Sequence, residues 1–242
     1  MKNALIATII GLAFVVGVMI AANSYKNRSR ANDSIKVTGL GAQDFTSDLI
    51  VWEAAFHRKS MNLQEAYTNL EKDRRKVKEF LQEKGIDQSE VVFSAVDIRK
   101  DIDYQYDQNG YRMEVFTGHI LTQRVEIESN EVELIEEASR AITDLINRGV
   151  EIDSYRPDYY YTKLAELKIE MIAAATEDAR VRAEKIAENA GSNLGELHSA
   201  QMGIFQIIGQ NSNEDYSWGG TYNTSSKMKT ATITMRLSFG VE

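Results

Sequence analysis

The stretch Leu164-Ala-Glu-Leu167-Lys-Ile-Glu-Met171-Ile-Ala-Ala-Ala175-Thr-Glu-Asp178-Ala179-Arg180-Val-Arg182-Ala183-Glu-Lys-Ile186-Ala-Glu-Asn-Ala190-Gly191 decides the fold class. Leu164, Leu167, Met171, Ala175, Ala179, Ala183, Ile186 and Ala190 recur at three- or four-residue spacing, which predicts one long helix over 162–190. Much of that stripe is alanine, so the helix can approach a sheet closely. Asp178/Arg182 and Arg180/Glu184 stand four apart on the outer face, where each pair is worth roughly 0.2–0.5 kcal/mol. Gly191 supplies the stop. Strands are predicted after it over 194–208 and 230–239.

Working outward, two shorter helices carry the same periodicity. Leu63, Ala66, Tyr67, Leu70, Val77, Phe80 and Leu81 form one stripe, closed by Gly85; Leu134, Ile135, Ala138, Ala141, Ile142, Leu145 and Ile146 form another, closed by Gly149. Around them, 35–41, 45–57, 90–106 and 111–128 read as strands, and 151–161 as an extended segment with Pro157 at an edge. The first strand ends in Gly39 and Gly41, which predicts a turn there. Asn109-Gly110 predicts a tight hairpin, because the pair accepts the positive φ angles of a type I′ turn. The ends of the two shorter helices echo one another, 81–87 against 146–153. The reading is an α+β fold: two strand–helix–strand units with long antiparallel strands packed against helices.

Composition sets the outer limits. The chain has 242 residues, one Pro and no Cys, with net charge −8. Without Cys there is no disulfide scaffold, thiol nucleophile or Cys-based metal site. The acidic balance argues against nucleic acid, which calls for a concentrated basic face.

Residues 4–22 carry no charge, and as a helix they would span nearly the ~30 Å of a bilayer core. Residues 1–22 therefore read as an N-terminal transmembrane anchor or a signal peptide, 23–34 as a polar linker and 35–242 as one domain. The length suits an anchor better than the shorter apolar core of a cleaved signal. Lys26, Arg28 and Arg30 outnumber the positive charges before the run by one, so a literal positive-inside count opposes export of the body.

Residue patterns that carry chemistry are scarce in the chain. His57, His119 and His198 are scattered, with no metal-binding spacing; Gly39-Leu-Gly41 lacks the third glycine of a dinucleotide loop; no phosphate loop or nucleophile elbow is present. Asp101, Asp103 and Asp107 invite a calcium reading, but Gln108 stands where the sharp turn requires Gly. No catalytic, cofactor-binding or metal residue is assigned and no cofactor is expected. The polar stretch 209–226 holds three large apolar groups, Tyr216, Trp218 and Tyr222. It reads either as a hairpin tip or as an interaction loop with aromatic anchors.

Val37-Thr-Gly39-Leu-Gly41 resembles the Val-x-Gly-x-Gly opening of the SIMPL domain family, also called DUF541. Asp178-Ala179-Arg180, followed by Gly191 and Leu194-Gly195, is similar to the family's Asp-Ala-Arg/Lys helix leading to Gly and Leu-Gly. The family often has a Phe where this chain has Tyr155-Arg-Pro157. The resemblance implies an α+β fold in an exported bacterial cell-envelope protein. Here that means inner-membrane anchorage through the N-terminal helix, with a periplasmic domain. Relatives are labelled periplasmic immunogenic or oxidative-stress defence proteins, an animal relative binds a signalling kinase, and ring-like homo-oligomers are known. It supplies no catalytic residue. The resulting expectation is a non-enzymatic, homo-oligomeric envelope protein in stress resistance or scaffolding. The alternative is a binding module that takes a protein partner or small ligand through 209–226.

Overall fold

The computed structural model describes residues 11–12, 14–22, 34–106, 108, 110–214 and 217–242. Residues 11–12 and 14–22 are helical, and no helix among the described residues is long and apolar enough to cross a membrane. The rest of the expected anchor, and the linker up to 33, lie outside the described residues.

The body is α+β, with two antiparallel sheets, each packed against helices. Its order is β1 (Ser34–Thr46), β2 (Leu49–Ser60), α1 (Leu63–Glu83), β3 (Val91–Phe93), β4 (Asp97–Tyr106), β5 (Arg112–Ser129), α2 (Val132–Ala141) with a 3₁₀ turn (Ile142–Arg148), β6 (Ile152–Ser154), β7 (Asp158–Tyr160), α3 (Leu164–Asn189), β8 (Leu194–Met202), β9 (Gln206–Gly209) and β10 (Met228–Val241).

Residues 49–160 form one continuous unit. Its sheet runs β3-β5-β2-β6, with β4 also beside β5 and β7 beside β2. Taking β3/β4 and β6/β7 as interrupted strands, this is the split β-α-β arrangement, two strand–helix–strand units interleaved. The echo between helix ends is real geometry. Gly85 (φ +86°) and Gly149 (φ +76°) end their helices left-handed. Each is followed by a residue whose amide reaches back: Ile86 to the Leu81 carbonyl and Val150 to that of Leu145. Trp52, Phe56, Leu70, Leu121, Ile135 and Leu145 are among the fully buried side chains of this core. The Trp52 indole donates to Ser154 Oγ (3.2 Å), so even the largest side chain is satisfied. Asp73, buried on α1, is chelated by the Arg58 guanidinium of β2, which also donates to the Gly149 carbonyl. The Asp73 contact raises the Arg58 pKa above its ordinary value.

The other unit is discontinuous. β1 pairs with β10 along all 13 of its residues, from Ser34↔Gly240 to Thr46↔Met228, and β10 pairs in turn with β8 and β9. α3 covers one face of this sheet with Leu167, Met171, Ala175, Ala179, Ala183 and Ala187. Ile186, expected on that face, is 49% exposed; the strict four-residue spacing carries the contact to Ala187 instead.

Several boundaries differ from expectation. β1 does not turn at Gly39 and Gly41 but runs straight through them. The 45–57 strand is two strands meeting at Ser47 and Asp48. The 90–106 and 194–208 strands are each interrupted, as is the extended segment, at Pro157. The 106–112 hairpin forms, but its register pairs Tyr106 with Arg112, so the connection spans five residues rather than two. Asp107 and Asn109 within it lie outside the described residues.

Candidate interaction site

The motif residues meet at one seam, and their roles there are structural. A Cβ on Gly39 would sit 2.5 Å from the Ala179 nitrogen, and one on Gly41 2.5 Å from the Met171 carbonyl oxygen. The glycines are needed because the helix backbone occupies the space a side chain would take. The Asp178 carboxylate accepts the Leu40 amide of β1 (2.8 Å) and pairs with Arg182 (3.0 Å). Those contacts hold its pKa below the usual carboxylate range, the Leu40 hydrogen bond most of all. Asp178 is therefore more than an outer-face residue: it ties α3 to the sheet. Val37 and Ala179 are buried in the seam, while Arg180 pairs with Glu177 and Glu184 in solvent. Gly191 (φ +73°) ends α3, Leu194 packs on the same core, and a Cβ on Gly195 would lie 3.0 Å from the Gly240 backbone.

The 209–226 loop is organised on the described residues. Ile207 donates to the Thr221 carbonyl (2.7 Å), Asn223 to that of Ile207 (3.0 Å), and the Asn223 side chain to Glu214, so the loop folds back along β9. Tyr222 is half-exposed, its ring 6.5 Å from that of Tyr160. Tyr216 lies outside the described residues.

Trp218 is 96% exposed, and the backbone that leads into it is fixed. The buried Gln206 side chain donates to the Ser217 carbonyl (3.2 Å) and accepts the Ser217 amide (3.2 Å), clamping the residue before it on both sides. Beside Trp218 lies a hollow of about 660 Å³, floored by β10 at Thr232 and Thr234 and walled by Leu40 and Ile204. Its size suits a small ligand or an inserted side chain. Gln206 was missed in the sequence; the signal was a lone polar side chain inside Phe205-Gln206-Ile207-Ile208, where only a buried partner justifies an amide.

A second hollow, about 690 Å³ and polar, crosses the uncovered face of the other sheet, with His57, Asp97, Arg99, Arg124, Asp153 and Tyr155 around small residues. His57 Nε2 lies 3.1 Å from Glu151 and Nδ1 3.9 Å from Asp153. Opposed charges neutralise one another here and select no ligand class. Asp101, part of the calcium motif considered above, is spent on Lys59 and Thr117 within the sheet. Among the described residues no group of three or more His, Asp or Glu is arranged to hold a metal ion.

Fold and seam together define a class: a two-sheet α+β domain whose motif is a helix–strand packing joint and whose exposed features are apolar surfaces. The chain belongs to the SIMPL family, described as a protein of unknown function (DUF541), whose family model matches residues 35–239. No curated protein matches the chain.

Proposed function

We propose that this is a non-enzymatic, membrane-anchored cell-envelope protein that self-associates and acts in stress resistance or scaffolding. Residues 1–22 are its inner-membrane anchor and the α+β body lies in the periplasm. Trp218 carries the reading: a side chain almost wholly in solvent follows a backbone position fixed by a buried amide and borders an apolar hollow, an arrangement suited to contact with another macromolecule. The SIMPL resemblance supplies the envelope setting. Leu12, Phe14, Val16 and Ile20 stand exposed on the N-terminal helical turns, apolar surface that a bilayer would cover.

The test is light scattering on the purified full chain in detergent. Self-association is expected, and Trp218→Ala should weaken it at least tenfold without moving the melting temperature, because Trp218 supports nothing in the fold. A wild-type chain that stays monomeric at every concentration would remove the self-association reading.

A second reading is favoured by the hollow itself: the loop takes a protein partner or an apolar small ligand directly. Trp218→Ala would then leave assembly size unchanged while abolishing the binding of an apolar probe, read from the probe's own fluorescence.

A further inference from the structure

β4 and β5 continue well past the rest of their sheet. β5 pairs with β2 only from His119 onward, so 101–106 and 112–118 pair with each other alone and form a projecting two-stranded arm. On β4, Ile98, Lys100, Ile102, Tyr104 and Tyr106 alternate onto one face, and Phe116 lies beside Ile102. The opposite face carries Asp103, Gln105, Met113 and Val115, whereas this face gathers its aromatic and aliphatic side chains around three charged ones, Lys100, Arg112 and Glu114. Tyr106 is 72% exposed at the tip, and the Arg112 guanidinium stacks 3.5 Å from the Tyr104 ring centre, which stiffens the arm.

At its base the same face continues onto the start of α1. Leu63, Tyr67, Ile98 and Leu121 border a hollow of about 490 Å³; a second, about 530 Å³, lies midway at Ile102, Phe116 and His119. A strip with a protruding aromatic at one end and a hollow at the other is self-complementary under a two-fold axis through its middle. Lys100 and Glu114 stand on the same face on opposite sides of Ile102, so such an axis sets Lys100 of one copy against Glu114 of the other. Leu63, Tyr67 and the five exposed apolar residues of this arm face are each 39–72% exposed, and at roughly 100 Å² of surface each they amount to ~700 Å². That approaches the roughly 800 Å² per partner of a stable interface and exceeds what monomers ordinarily leave bare.

We infer that the β4–β5 arm clasps a second copy of this chain face to face, the Tyr106 tip of each copy seated in the Leu63/Tyr67 hollow of the other. The inference rests on the self-association proposed above and names a surface for it, separate from Trp218.

The absence of Cys makes the test clean. Full-length chains carrying Tyr67→Cys, Tyr106→Cys or both are oxidised in detergent, with circular dichroism confirming the fold. The double variant is expected to yield covalent dimers and each single variant little or none; Ile102→Asp should weaken association at least tenfold. If the wild type associates but the double variant does not crosslink and Ile102→Asp changes nothing, the clasp is wrong and self-association stands. If the wild type is monomeric throughout, both fall. If Ile102→Asp keeps assembly size but loses flotation with phospholipid vesicles, the arm face belongs to the membrane and the clasp is overturned.

Discussion

Between β2, β5 and the helices α1 and α2, the continuous unit packs Trp52, Phe56, Leu121 and Leu145, large side chains that keep backbones apart and fill the space between them. Between β1 and α3, the discontinuous unit does the reverse: Gly39, Gly41, Ala175 and Ala179 bring backbones together until no side chain fits. The first core is held by volume and the second by proximity. Volume tolerates relaxation around a change, whereas proximity between two backbones does not. The difference also follows chain connectivity. The first unit is built from neighbours in sequence, while the second joins residues near 40 to residues near 179 and 235, for which a local pattern offers no guide.

The largest expected effect tests the volume side. Phe56→Ala leaves a cavity at a fully buried site between β2 and the helices, and denaturant unfolding should register a loss of about 3–5 kcal/mol. A loss under about 1 kcal/mol would mean the core collapses into the space and that large side chains are not what holds this unit.

The proximity side is tested by adding one carbon. Gly39→Ala should cost about 3 kcal/mol, because the new Cβ meets helix backbone that moves only if α3 shifts as a body. Gly85→Ala is the control: nothing lies within 4 Å of its Cβ, and the penalty comes from φ +86° alone, about 1–2 kcal/mol. Equal losses at the two positions would show that backbone conformation, not closeness, explains the glycines.

The same contrast accounts for what was legible in the sequence. The periodic stripes of α1, α2 and α3 and the stops at Gly85, Gly149 and Gly191 could be read directly, because helix period and left-handed caps are local properties. Gly39 and Gly41 were readable as special but ambiguous in kind, since glycine serves turns and close approaches alike; only the distant Ala175 and Ala179 decide between them. Asn109-Gly110 announced a hairpin, yet nothing local said that the arm outruns β2 and bares Tyr106. Trp218 stood out by composition, whereas the Gln206 clamp on Ser217 before it depends on a contact across the loop.

A third prediction concerns the joint between the two units, where neither principle holds alone. Lys229 points from β10 into that joint, fully buried, and donates to the carbonyls of Tyr159 (2.9 Å) in the continuous unit and Ser226 (2.6 Å) in the loop. Lys227 beside it pairs with Glu133 and Glu136 of α2, and Tyr159 donates its hydroxyl to Glu136. Burial pushes Lys229 from 10.5 down to about 8, opposed by Asp158 and Glu214. Between those values the unfolded chain holds a proton that the folded chain has released, so raising the pH through this window favours the fold. Below pH 8 both states are charged and the burial penalty is present in full. Stability should therefore climb by about 2 kcal/mol from pH 8 toward 10.5, and Lys229→Met should flatten the climb. Tyr159, raised to about 12 mainly by burial, works the other way above pH 10, so the comparison is cleanest between pH 8 and 10. If wild type and Lys229→Met keep a constant difference across that window, Lys229 carries the same charge in both states, and the two carbonyls rather than burial set its behaviour.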